Sequence, residues 1–304
     1  MLNVKIKNHL HLHFLVFIAG FTAILGEVIS ITAIPLVWFR MLMASFLVFI
    51  YIKIAKVNIK ISLKELLRLG IGGIIIALHW LTFFGAIDAS NVSITLAVFS
   101  CGAFFASLIE PIFYKRRIIW YEILFGIVVI LGVFIITKSE FKYLTGIILG
   151  ITSAFLSSLF AVLNGVFLKK HTATVISFYE FLAGMLFISI YIALFGTGFS
   201  KEFFNLSTAD FSYLFILASI CTAYAFIAAV HVMKVISPYT VVLSYNMEPI
   251  YGIILAVLLF PDKEHMSANF YYGAIVIIIT VLLNAVLKNL RLIKRKRSSF
   301  SLKN

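Results

Sequence analysis

Ten windows of about 20 mostly apolar residues, the length a helix needs to cross the hydrocarbon core of a bilayer, follow one another with short connections. They are Leu10–Ile31, Ile34–Ile54, Leu66–Ile87, Val92–Tyr114, Ile119–Thr137, Leu144–Leu168, Ala173–Gly196, Phe211–Val232, Ser237–Phe260 and Phe270–Leu290. The runs are about twice as long as a barrel strand and lack its alternation. Composition excludes a water-soluble fold. Hydrophobic residues make up 62% and charged residues 12%, where a soluble domain has about 45–50% and about 25%. The sequence therefore predicts an all-α integral membrane protein with ten transmembrane helices.

Lys and Arg are retained preferentially on the cytoplasmic side of a membrane, and their positions set the orientation. With the N-terminus cytoplasmic, 20 of the 25 basic residues fall inside; Lys138, Lys142, Lys201 and Lys263 fall outside, and Arg40 lies within a window. Removing one window would flip every later loop and destroy the bias, so both termini are expected in the cytoplasm. The net charge of +13 is mostly this asymmetry plus the tail "KNLRLIKRKR" (Lys288–Arg297), which suits anionic headgroups. No nucleic-acid partner is expected. The first apolar run is too long for a signal-peptide core and reads as an uncleaved span. Cys101 and Cys221 lie in windows and suggest no disulfide framework. His9, His11 and His13 alternate, so only His9 and His13 share a helix face, too few ligands for a metal.

The windows form two sets of five. "FTAILGEVI" (Phe21–Ile29) matches "FAVLNGVFL" (Phe160–Leu168), and "ALHWLTFFGAIDASNVS" (Ala77–Ser93) parallels "AYAFIAAVHVMKVISPY" (Ala223–Tyr239) at an offset of 146; Gly126 falls on Gly273. An odd number of spans per repeat sends the second set through the membrane in the opposite sense. The charges agree: "YKRRI" after the fourth window becomes "FPDKE" after the ninth. The expected organisation is a first five-helix repeat over residues 1–138, an inverted second over 139–290, and a basic cytoplasmic tail over 291–304.

Ionisable residues inside a membrane mark candidate functional sites. "LSYNMEPIYGIIL" (Leu243–Leu255) puts Glu248 about eleven residues into the ninth window, near the midplane at about 1.5 Å per residue. Ser244 and Tyr245 share its face, Asn246 is adjacent, and Pro249 in mid-helix would free the carbonyl of Tyr245. Glu248 reads as a carboxylate for a substrate amino group, a coupling proton or both; a protonated interhelical Glu is the alternative. Glu180 and His79 with Trp80 are further pathway candidates, with an interhelical hydrogen bond as the alternative for Glu180 and for His79; Asn164 and Tyr224 are added to the pathway candidates. Glu27 and Arg40 are expected to pair across the outer ends of the first two helices as a gating or structural contact. Glu110 lies near the interface, where solvation suffices.

"GFTAILGEVIS", "IPLVWFRMLMAS" and "SPYTVVLSYNMEPIYGIILAVLLFPDKE" together resemble the drug/metabolite transporter superfamily, specifically an EamA-type permease, over nearly the whole chain. The fourth window, "VFSCGAFFASLIEPIF", departs from the pattern: it lacks the usual Pro near Gly102 or Ala103. The resemblance implies a bacterial inner-membrane exporter or exchanger of small metabolites, commonly amino acids, with spans 1, 3, 4, 6, 8 and 9 around the cavity.

The function expected is secondary transport by alternating access, without cofactor or metal. The partners are a small-molecule substrate, the lipid bilayer, protons as a candidate coupling ion and a second copy as a candidate dimer partner. No Gly-x-x-x-x-Gly-Lys motif is present to bind ATP. An intramembrane lipid-modifying enzyme is the alternative, but Glu27, Arg40 and Glu110 are scattered and no Gly-x-Ser-x-Gly or His-Glu-x-x-His occurs. A non-transporting scaffold would leave the mid-depth polar residues unexplained.

Overall fold

A computed structural model describes residues 4–115, 117–196, 198–232, 244–245 and 247–301. The described regular structure is helical throughout. In chain order it comprises α1 (Val4–Val28), α2 (Ala33–Ile54), α3 (Leu63–Ala89), α4 (Val92–Phe99), α5 (Gly102–Tyr114), α6 (Trp120–Ser139), α7 (Leu144–Phe167) and α8 (Ala173–Phe195). Then come α9 (Thr208–Ala218), a π-helical segment (Ser219–Tyr224), α10 (Ala225–Val232), α11 (Glu248–Leu259) and α12 (Ala268–Ser301). Eight helical stretches, from Ile6–Val28 to Thr208–Ala229, are long and apolar enough to cross a membrane; Glu248–Leu259 and Ala268–Asn284 are shorter apolar helices.

Local sequence explains the helix starts. Ser62 accepts from the backbone N–H of Glu65 at 3.3 Å, the Ser-x-x-Glu arrangement that supplies an acceptor to the free first turn. Ser207 does the same for Asp210 at 3.0 Å and donates its hydroxyl to that carboxylate at 2.6 Å. Asn91 caps α4 through Ile94 N–H at 2.9 Å. Pro35 falls within the first turn of α2, where a missing N–H costs no intrahelical bond. Lys115 closes α5 in the left-handed region, at φ 49°.

Two windows expected as continuous helices are interrupted. Between α4 and α5 the chain tightens at Ser100–Cys101: Cys101 N–H donates to Val98 at 3.1 Å, and Phe104 N–H donates to Cys101 at 2.9 Å. In the ninth window, Ser244–Tyr245 form a helical turn, Met247 N–H donates to Ser244 at 3.0 Å, and α11 begins at Glu248. Pro249 is thus not in mid-helix. It occupies the first turn of a new helix, where proline is tolerated.

Helix α1 packs on α11, α10 and the π-helical segment; α2 on α8, α9 and α3; α3 on α7 and α8; α7 on α4 and α5; and α6 on α12. In lipid, such contacts gain from close packing more than from removal of water, so small residues collect where backbones cross. Gly132 of α6 and Gly273 of α12 face each other so closely that a Cβ on Gly273 would lie 2.9 Å from the Gly132 carbonyl. The inner core holds Phe84, Phe181, Leu36, Met41 and Leu96. Phe46, Leu67, Ile112, Phe134, Leu194 and Leu258 face outward, as suits lipid contact.

Candidate functional site

Glu248 is the first residue of α11 and is partly buried. Two consequences follow from that placement. The first N–H groups of the helix have no intrahelical acceptor and carry a partial positive charge, which favours a carboxylate there. Close contact with α1 also fixes the carboxylate-bearing turn: a Cβ on Gly20 would lie 3.0 Å from the Glu248 carbonyl. Arg40 of α2 lies within electrostatic reach, and its charge and that of Glu248 attract each other.

Arg40 is only 3% exposed. Its Nε donates to Thr222 Oγ1 at 2.8 Å, and its Cζ lies 3.7 Å from the ring centroid of Trp80, a cation–π distance. Its Nη1 is buried without a hydrogen-bond partner. Trp80 packs in turn on Phe181 and Phe226. Thr222 is presented by the π-helical segment and donates to the Leu217 carbonyl, five residues back, at 2.7 Å. The extra residue per turn displaces side chains from ordinary helical register; such bulges are frequent at functional sites.

The expected Glu27–Arg40 pair is therefore not the contact made. Glu27 accepts from Lys263 Nζ at 2.6 Å, at one end of the bundle, while Arg40 turns into the interior. Their places toward the outer ends of adjacent helices suggested the pair, but Lys263, 236 positions away in sequence, is the cation bonded to Glu27. Glu27 lines an open cleft of about 470 Å³ with Asp88, Asn91, Asp262 and Lys263, apart from Arg40 and Glu248.

The other candidates divide into separate places. Tyr245 packs against the core beside Glu248, and Ser244 shares its helical turn; Asn246 lies outside the described residues. Glu180 is 1% exposed, accepts from Asn164 Nδ2 at 3.0 Å, and lies against Gly72 of α3, so two candidates join in one α7–α8 contact. His79 Nδ1 is 2.8 Å from Ser153 Oγ and 3.1 Å from its carbonyl, and the ring stacks on Phe99. That is an α3–α7 tie. Tyr224 is 42% exposed, with its hydroxyl 2.6 Å from His11 Nε2, and does not join the Arg40 group.

The sequence reading missed Thr222 and Glu264. Nothing in "SICTAY" announces a π turn. Glu264 was visible only as the acid ending "FPDKE"; its side chain is 1% exposed and accepts from Val92 N–H and Ser93 N–H, both at 3.0 Å. Among the described residues no group of three or more His, Cys, Asp or Glu could hold a metal ion.

The model of the EamA-like transporter family matches the chain twice, over residues 9–138 and 144–286. No curated protein matches it. One solved protein crystal structure shares the fold with a TM-score of 0.64 at 14% identity, covering 93% of this chain and 98% of that one. A bundle of apolar helices matched by this family over nearly its whole length is a multi-pass membrane protein of the transporter class: the chain belongs to the EamA-like transporter family, within the drug/metabolite transporter superfamily.

Proposed function

We propose that the protein is a secondary transporter with ten spans in two inverted halves, residues 1–138 and 139–290, and both termini in the cytoplasm. It moves a small metabolite, an amino acid or a related compound, out across a bacterial inner membrane by alternating access. The site is the group formed by Glu248, Arg40, Trp80 and Thr222.

The observation that carries this reading is a pair of matching helix interruptions. Cys101 N–H bonds to Val98, while Phe104 and Phe105 N–H bond to Cys101; Met247 N–H bonds to Ser244, while Ile250 and Tyr251 N–H bond to Met247. Every member of the second set lies 146 positions after its counterpart, the offset that aligns Ala77–Ser93 with Ala223–Tyr239. Helix pairing supports the same relation. Exchanging the halves turns the contact of α1 with α11 into that of α7 with α5, and the contact of α2 with α9 into that of α8 with α3, and all four contacts exist. Transporters of inverted design place substrate sites where helices break near the midplane, beside helix N-termini. Only the second interruption carries a carboxylate: Gly102 stands where Glu248 does.

The test is counterflow of labelled amino acids and related metabolites in proteoliposomes. Wild type is expected to give saturable flux, and Glu248→Ala none, while remaining folded by its thermal midpoint. Flux unchanged in Glu248→Ala would remove Glu248 from the site. His79 supplies a contrast. Ser153→Ala is expected to lower stability by about 1 kcal/mol, the value of one hydrogen bond, and to leave the KM for flux unchanged.

A further inference from the structure

We infer that Arg40 is the anchor for the carboxylate of a zwitterionic substrate, with Glu248 receiving its ammonium group, an assignment that rests on the transporter reading above. A guanidinium has five N–H donors in a planar fork matched to a carboxylate. Here the Nε donor is taken by Thr222, whereas Nη1 is sealed from solvent with no acceptor. Leaving a buried donor unmade is destabilising, more so when it is charged. Filling the same volume with an apolar side chain is often neutral or stabilising. Packing alone therefore gives no reason for an arginine at this position.

The surroundings specify what the fork can take. Trp80 covers one face of the guanidinium at 3.7 Å, and Phe84 lies 5.6 Å from it; both fix its position without using its donors. Glu248 is the carboxylate whose charge acts on Arg40, and it stands on a different helix. One cation and one anion within electrostatic reach of each other complement a molecule carrying one of each. A dianion would meet Glu248, and a simple amine would meet Arg40. The rings of Trp80, Phe84, Phe181 and Phe226 make the surroundings of Arg40 apolar, which suits an amino acid with a hydrocarbon or aromatic side chain. Arg40 is thus a specificity residue for the end of the substrate opposite to the one Glu248 reads.

The experiment uses the full-length protein in proteoliposomes, with labelled leucine and phenylalanine among the twenty amino acids as counterflow substrates. For these two, the carboxamides and the deaminated acids, 4-methylpentanoate and 3-phenylpropanoate, serve as competitors. Wild type is expected to transport one or both, with neither carboxamide nor deaminated acid competing. Arg40→Lys keeps the charge but loses the fork and the flat contact with Trp80, and is expected to raise KM about tenfold or more. Thr222→Val leaves Arg40 in place but unsupported, and is expected to raise KM by a smaller factor. Thermal midpoints in detergent report folding; if Arg40→Lys fails to fold, Thr222→Val decides. Unchanged KM in the folded variants overturns the assignment, as does equal competition by a deaminated acid. Wild type inert toward all twenty amino acids overturns the amino-acid transport reading itself, a failure seen before any variant is compared.

Discussion

Gly73→Ala is expected to destabilise the protein by about 2–3 kcal/mol, while Gly70→Ala on the same helix is neutral or stabilising by about 0.5–1 kcal/mol. Both replacements add one methyl group and the same gain in helix propensity, so only the surroundings distinguish them. Around Gly70 nothing lies within 4 Å of an added Cβ. At Gly73 the methyl would run into the backbone carbonyl of Glu180, with Ala183 Cβ at 2.9 Å. A side chain could rotate away, but a carbonyl in the middle of α8 moves only if α8 moves. The α3–α8 crossing also carries Gly184, whose own Cβ would lie 2.7 Å from the Gly73 carbonyl, so relief by sliding is blocked from both sides. Displacing α8 would also shift Glu180 relative to Asn164 and break their 3.0 Å hydrogen bond. Thermal midpoints in detergent measure both variants. Equal midpoints for the two would show that the crossing is looser than its geometry and would sink the prediction.

That crossing illustrates how much the sequence discloses. A bilayer demands length and apolarity from a spanning helix, and those properties are additive along the chain, so the eight helices long and apolar enough to span were legible, while the last two windows hold shorter apolar helices among the described residues. The interruptions at Cys101 and Met247 were not. Neither residue breaks helices, and Pro249 pointed to a mid-helix kink where the chain starts a new helix. Counting along the ninth window singles out Glu248 because it needs only that window. The same counting says nothing of what Arg40 meets, because its long side chain reaches Trp80 and Thr222, and such reach depends on neighbours from other helices. The Glu27–Arg40 pairing failed for the same reason: a charge takes the partner that folding brings closest, here Lys263.

Glu264→Ala is expected to destabilise the end of the bundle that holds Glu27 and Lys263 by about 2–4 kcal/mol, and Lys263→Ala by less than about 1 kcal/mol. The visible ion pair is the weaker element. Lys263 Nζ meets Glu27 at 2.6 Å with its side chain 67% exposed, and water competes for an exposed ammonium. That pairing raises the proton affinity of Lys263 above its ordinary value. Glu264 instead satisfies two buried backbone donors at the start of α4, Val92 and Ser93, while Asn91 satisfies the third, Ile94, and ties its own amide to the Lys263 carbonyl at 3.2 Å. Truncation leaves two buried N–H groups without acceptors at the positive end of a helix. Burial, with the nearby charge of Glu27, also raises the proton affinity of Glu264 above the ordinary carboxylate range, outweighing the Ser93 side chain and the Ser93 and Val92 N–H groups that favour the anion. A group that binds its proton more tightly when enclosed favours the enclosed state as pH falls. Closure of this end therefore weakens as pH rises through the raised value, and Glu264→Gln removes that dependence. Maleimide labelling of Ile87→Cys, a buried position lining the adjoining cleft, follows opening in detergent. Glu264→Ala is expected to speed labelling about tenfold or more, about 1.4 kcal/mol per factor of ten. If Lys263→Ala accelerates it equally, the exposed ion pair holds this end closed and the buried carboxylate does not.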